Sequence, residues 1–256
     1  MDIKFGKTAK DYARHRQGFP SCFFDKLVKN GTIKPGDRLI DLGSGTGTLA
    51  RGFAHRGCIV TGIDPAPELL EQARQLALDE GCMPEFSEGT AEHTGLESGI
   101  ADVVTAGQCW HWFNPEAATT EIKRILKPGG TLIIAHFDWL PLKGNVVEAT
   151  EQLIKSFNPQ WNMDNGTGIY PEWPRHLGNA KFTDITTCSY DINAIYTPGD
   201  WRGRIRASAG IAASLSEEKV ADFDAVLKAK LESDFPGELL AIPHRVFIVR
   251  AFSPAQ

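Results

Sequence analysis

No stretch of this chain approaches the ~18 consecutive apolar residues that a helix needs to cross a bilayer, so a membrane-spanning role drops out of the reading. Positive charge is in deficit: 27 Lys and Arg stand against 32 Asp and Glu, a formal net charge of −5. Without a basic surplus there is no electrostatic footprint for nucleic acid or an anionic membrane, and a small-molecule partner is expected. Cysteine is sparse. Its five positions, Cys22, Cys58, Cys82, Cys109 and Cys188, show no Cys-x-x-Cys spacing and no histidine at ligand spacing. That pattern predicts buried thiols in a reducing compartment and no metal site. The opening residues Met1 to Lys7 lack the apolar core of a signal peptide, so cytoplasmic residence is expected. Repeats and low-complexity tracts are also missing, and nothing in the pattern speaks to oligomeric state.

What the chain does have is 256 residues with 42% hydrophobic content, enough for one large α/β domain with an added cap. Short apolar runs at Arg38–Leu42, 58–63, 103–106 and 131–135 suit strands covered on both faces. Between them, 68–80 places Leu69, Leu70, Ala73, Leu76 and Ala77 at helical spacing, and 115–126 reads as a further helix stopped by Lys127-Pro128-Gly129-Gly130. A helix is also predicted over Ser21–Lys29. After Trp139 the pattern changes: helix over 145–157, an irregular Asn-, Gly-, Pro- and Trp-rich stretch over 158–179, a strand over 183–192, helices over 198–214 and 217–235, and a last strand over 244–252. The alternation predicts right-handed crossovers with ligand beyond the carboxyl ends of the strands.

The chemistry concentrates at Asp41-Leu42-Gly43-Ser44-Gly45-Thr46-Gly47, followed after one helix and one strand by Asp64. Gly43, Gly45 and Gly47 let a ligand approach backbone N–H groups and allow a turn with positive φ. An acid about 20 residues on, at the end of the next strand, is placed to accept hydrogen bonds from both hydroxyls of a ribose. A nicotinamide or flavin fingerprint has G-x-G-x-x-G spacing for a pyrophosphate, whereas here the spacing is G-x-G-x-G and Asp41 would repel that group. Asp41 suits a ligand carrying an ammonium or sulfonium charge instead.

This pattern resembles motif I of class I S-adenosylmethionine-dependent methyltransferases, and other segments match that family in order. Gly62-Ile63-Asp64-Pro65 looks like its second strand and ribose acid, Gly89-Thr90-Ala91-Glu92 like the segment lining the adenine, 102–108 like its fourth strand, and 124–130 like the helix end before its fifth. The 108–113 run with its His-Trp-Phe, and Tyr12 to Arg16, resemble the branch containing trans-aconitate methyltransferases. The resemblance implies a Rossmann-like, doubly wound, mostly parallel seven-stranded sheet with an antiparallel last strand and a helical lid. It divides a single domain into a cap over 1–35, a cofactor core over 36–140, and a lid with sheet edge over 141–256. It further implies S-adenosyl-L-methionine as cofactor, held by Asp41, Gly43, Ser44, Gly45, Gly47, Asp64, Pro65, Thr90, Ala91, Glu92 and Gln108. Many relatives have Asp where Thr90 stands, which leaves base recognition to Glu92 or to backbone around Ala91.

For the acceptor, Trp110, His111, Trp112 and Phe113 follow the fourth strand, and His136, Asp138 and Trp139 the fifth. Either His111 or His136 could serve as a general base, and Tyr12 is a third catalytic candidate. Bulky rings exclude water and their faces favour a cation. Arg202 and Arg206 share a helix face and, with Arg16, could grip a carboxylate. His244 is expected in strand packing. The leading expectation is methyl transfer to a small molecule at a carboxylate oxygen. The alternatives are N- or C-methylation of a heteroaromatic metabolite, with Trp110, Trp112, Trp139 and Trp173 as a stacking cage, and a non-catalytic donor-binding protein.

Overall fold

In a computed structural model of the protein, the described residues are 18–208, 210–211 and 214–254; Tyr12 and Arg16 lie outside them. Among the described residues, seven strands run in chain order as β1 (Arg38–Leu42), β2 (Ile59–Asp64), β3 (Glu85–Glu88), β4 (Ala101–Gly107), β5 (Leu126–Trp139), β6 (Thr183–Tyr196) and β7 (Leu240–Phe252). They form one sheet in the order β3-β2-β1-β4-β5-β7-β6. The pairs β1–β2, β1–β4, β2–β3 and β4–β5 are parallel. Toward the other edge the direction reverses: the Leu140 amide meets the Pro243 carbonyl and the Ser253 amide the Gly130 carbonyl, a pairing whose numbers fall on one side as they rise on the other. This is the mostly parallel, Rossmann-like sheet with antiparallel last strands that the motifs implied. No helix among the described residues is long and apolar enough to cross a membrane.

Two compact units can be distinguished. The larger holds Gly18–Phe137, Tyr170–Ser189 and residues 246–254; the smaller holds Asp138–Ile169 and Tyr190–Arg245. In the larger unit, helix α1 (Ser21–Lys29) buries Phe23, Phe24 and Leu27, and its rings meet Phe53 of α2 (Thr48–Ala54) at 6.2 and 4.9 Å between centroids. Helix α3 (Pro67–Asp79) turns Leu70, Ala73 and Ala77 inward. Helix α4 (Pro115–Ile125) begins with Pro115 in its first turn, and the Asn114 side chain accepts from the Glu116 and Ala117 amides, which satisfies two of the donors a helix start leaves over. In the smaller unit, α5 (Val146–Phe157) is capped by Asn145, α7 (Pro198–Arg206) by Thr197 and α8 (Glu217–Asp234) by Ser216.

Several elements depart from the sequence reading; among them, the helix expected over 198–214 ends at Arg206 and the strand expected over 183–192 runs on to Tyr196. The stretch 158–179, expected to be irregular throughout, contains helix α6 (Glu172–Asn179), whose Trp173 and Leu177 are buried. Its eight residues hold a Pro and a Gly, so propensity argued against it, and burial of two large apolar side chains outweighs that. The short β3 was not expected because Glu85-Phe86-Ser87-Glu88 offers a single apolar residue; pairing with β2 and the burial of Phe86 make it a strand. Lys127-Pro128-Gly129-Gly130 does end α4, yet the chain passes straight into β5, with a register irregularity opposite Ala101 and Val103.

Candidate functional site

Gly43, Gly45 and Gly47 all have positive φ, at 62, 54 and 78°. Their surroundings differ. A Cβ on Gly43 would lie 2.9 Å from Cys109 Sγ, and one on Gly47 2.7 Å from a ring carbon of Phe86, so these two glycines serve packing beneath the loop as well as its turn. A Cβ on Gly45 would meet nothing within 4 Å. Backbone is therefore open to an incoming ligand at Gly45 alone of the three.

Asp64 ends β2 beside this opening. Its Oδ2 accepts from the Gly45 amide at 2.8 Å and its Oδ1 from the Ala66 amide at 2.9 Å, next to exposed Pro65. Burial pushes its carboxyl above the usual range, while the two amides pull the other way. A carboxylate has about four lone-pair sites, so two remain after these bonds, enough for two adjacent hydroxyls. Ser44 Oγ is buried in the same loop without a hydrogen-bond partner, and Ser44 N–H donates to the Ile63 carbonyl at 3.0 Å.

Asp41 plays a different part from the one its position suggested. Its exposure is 1%, it accepts from Thr105 Oγ1 at 2.8 Å, and it is bonded by the Ala50 amide in the first turn of α2. The N-cap of that helix, Gly47, has no side chain to offer, so Asp41 supplies the missing acceptor from below. Asp41 thus holds the loop rather than lining its open side. Burial drives its carboxyl up to about 7, against hydrogen bonds from Thr105 and Ala50.

That shift carries a sign. A carboxyl that holds its proton more tightly folded than unfolded makes stability fall as pH rises between the two values, here from about 4 to about 7. His244, which burial lowers to about 4, acts oppositely, but only up to its ordinary value near 6.5. Thermal melts of the ligand-free protein are therefore expected to show a decline as pH rises from about 6.5 to about 7, levelling off above that. In Asp41→Asn that decline should shrink, whatever the substitution costs at lower pH; an unchanged slope would reject the assignment.

The adenine-lining candidates form a tight turn. Thr90 and His93 exchange backbone bonds at 3.1 and 3.2 Å, and Thr90 Oγ1 accepts from the His93 amide. Ala91 is buried in the hydrophobic cluster with Leu42 and Ile63, and Glu92 Oε1 accepts from the Asn114 amide at 2.8 Å. Gln108 leaves β4 in a left-handed conformation, φ 61°, with its amide donating to the Ala135 carbonyl. Such backbone strain at a strand end is a recurrent mark of a ligand site.

Beyond Gln108 the residues separate. Trp110, expected against substrate, is 2% exposed, packs in the core and donates from Nε1 to His176 Nδ1 at 3.3 Å; it is a support. Trp112 and His111 are exposed, their rings 4.7 Å apart, and His111 lies 5.6 Å from His136. His136 is buried against Tyr170 (4.8 Å) and Trp173 (5.8 Å), which stack on each other at 4.2 Å with 10° between planes. Tyr170 and His176 were not singled out from sequence, since they fall in the stretch without a period. Their signal was present only as a Tyr three residues before a Trp.

In the smaller unit, Arg202 and Arg206 both bind Asp224, through Arg202 Nε at 3.1 Å and further contacts from both guanidinium groups. Burial pushes Asp224 up, and the two arginines outweigh it and hold the carboxyl below its usual range. The pair expected to grip an acceptor carboxylate is thus engaged with a carboxylate of its own chain, 18 residues or more along. Trp139 Nε1 donates to Glu151 Oε1 at 2.9 Å and its ring lies under Arg204, whose guanidinium carbon is 4.9 Å from the centroid. His244, as expected, is a packing residue, 3% exposed, with Nδ1 at 2.9 Å from the Ile242 carbonyl.

The family model described as a methyltransferase domain matches residues 40–134, the segment that carries the glycine loop, Asp64 and β4. An uncharacterized methyltransferase-like protein of Schizosaccharomyces pombe is 33% identical over 199 residues, 77% of this chain and 74% of its own length. The chain belongs to the methyltransferase-domain family. An uncharacterized methyltransferase of Mycobacterium tuberculosis is 35% identical over 134 residues, 52% of this chain, and the chain spans about half the length (51%) of that relative. Among solved structures, Haemonchus contortus phosphoethanolamine N-methyltransferase 2 in complex with S-adenosyl-L-methionine is similar, with a TM-score of 0.57 at 20% identity over 99% of this chain and 57% of that one. At that identity the likeness concerns the fold. The expected cofactor, S-adenosyl-L-methionine, agrees with this family membership. The residues present also fit it: the glycine loop offers an approachable backbone at Gly45 and an unpartnered hydroxyl at Ser44, and the half-satisfied carboxylate of Asp64, at the end of β2, is hydrogen-bonded to that loop through the Gly45 amide.

Proposed function

We propose that the protein is an S-adenosyl-L-methionine-dependent methyltransferase of a small metabolite in the cytoplasm. The observation that carries this reading is the pairing of Asp64 with the Gly45 amide at 2.8 Å, beside the open face of the glycine loop. When bound, the donor supplies a methyl carbon made electrophilic by a positively charged sulfur. The chain's own work is positional: Asp64 and Ser44 hold a nucleoside, the turn around Ala91 borders the base, and the ring residues after β4 exclude water.

For the acceptor, the supporting observation is the group of His111, Trp112 and Tyr170 over buried His136 and Trp173. Such a face suits a planar heteroaromatic compound, stacked on the rings and methylated at a nucleophilic atom whose proton His111 takes up. The competing reading is ester formation on a carboxylate. It is supported by the resemblance of 12–16 and 108–113 to the trans-aconitate branch and weakened by the engagement of Arg202 and Arg206 with Asp224.

The test is a screen of heteroaromatic and acid libraries for S-adenosylhomocysteine release. Turnover of a heteroaromatic is expected, and His111→Ala should lower that turnover by about 100-fold with unchanged donor affinity. Turnover of acids alone would replace the first reading by the second. Donor binding without any turnover would favour a non-catalytic role.

A further inference from the structure

Sequence spacing predicted no metal site, yet among the described residues one set of three possible ligands is brought together by the fold. His55 closes α2, Glu80 closes α3 and Cys82 follows two residues later. One ligand atom from each lies within 4.8 Å of the others, and His55 Nε2 is 3.4 Å from Glu80 Oε2. From these positions we propose that His55, Glu80 and Cys82 form a binding site for a zinc-class divalent cation.

The chemistry of the donor set selects the ion. A thiolate, an imidazole and a carboxylate together suit a borderline-soft cation, whereas Mg²⁺ and Ca²⁺ take oxygen ligands almost alone. Bonds of about 2.0–2.3 Å in a tetrahedron set neighbouring ligand atoms roughly 3.3–3.8 Å apart, so the cluster must contract by about 1 Å. His55 and Glu80 are exposed and can make that movement, while buried Cys82 provides the fixed point. Three protein ligands leave a fourth position for water. On binding, the Cys82 S–H bond breaks, the sulfur electron pair goes to the metal, and one proton passes to solvent.

A competing cation is already at hand. Arg51 Nε sits 3.0 Å from Glu80 Oε1, and the same guanidinium donates to the Thr46 carbonyl in the glycine loop. A dication at the cluster would compete with Arg51 for Glu80, so removing Arg51's charge should tighten metal binding. The inference does not depend on the proposed methyl transfer.

The experiment is titration of the chelator-treated 256-residue chain with Co²⁺, which reports thiolate ligation by an intense near-ultraviolet charge-transfer band, followed by displacement with Zn²⁺ in a calorimeter. One equivalent is expected to bind with that band. Cys82→Ser should abolish the band, His55→Ala should weaken binding at least tenfold, and Arg51→Leu should strengthen it. Because His55 is exposed, its variant keeps the fold and remains informative if the Cys82 variant does not. A band that survives Cys82→Ser, zinc affinity unchanged in His55→Ala, or no binding by the parent protein would each overturn the site.

Discussion

Asp64→Ala is expected to reduce affinity for S-adenosylhomocysteine by about 100-fold or more in calorimetry. The substitution removes the acceptor for two ribose hydroxyls, and hydrogen bonds to a charged group contribute about 1.5–3 kcal/mol each, with every 1.4 kcal/mol a factor of ten. It also releases the Gly45 and Ala66 amides, so the loop loses the clamp that joins it to the start of α3. Folding should survive, because the carboxylate is itself opposed by burial, which raises its proton affinity. An Asp64→Ala protein that melts normally and binds the nucleoside as before would remove the central support of the functional reading.

The second large effect separates two glycines that look alike in sequence. Gly47→Ala should destabilise the protein by about 2–4 kcal/mol, combining roughly 1–2 kcal/mol for a left-handed residue with the cost of a methyl group forced against Phe86. For a chain of this size that is a fall in Tm of about 5–15 °C. Gly45→Ala carries the same backbone penalty without the collision, so its Tm should fall by only a few degrees. Its methyl group would instead stand in the open space where the backbone can be approached, and nucleoside affinity should drop at least tenfold. Equal melting temperatures for the two variants, or normal nucleoside affinity in Gly45→Ala, would contradict this division of labour.

The sheet was legible because its causes are local and redundant. Apolar runs at 38–42 and 58–63, a glycine turn between strand and helix, and an acid at the next strand end each specify conformation within a few residues, and together they leave one arrangement. The irregular stretch was not legible for the opposite reason. Helix α6 exists because Trp173 and Leu177 find a core to enter, and no window of sequence contains that core. The same limit applied to Trp110, whose burial is decided by His176 and Phe113 around it.

By itself the amino-acid order determined the α/β class, the strand-loop-helix at 38–54, and Asp64 as the acid beside the glycine loop. Tertiary structure alone decided the direction in which each polar group spends its bonds. Asp41 turned down to cap α2, Arg202 and Arg206 turned to Asp224, and His55 met Glu80 and Cys82 across 25 residues of chain. The physical reason is range: hydrophobic period and turn chemistry act over a few residues, whereas a hydrogen bond or ion pair is settled by whichever partner the packed chain brings within about 3 Å.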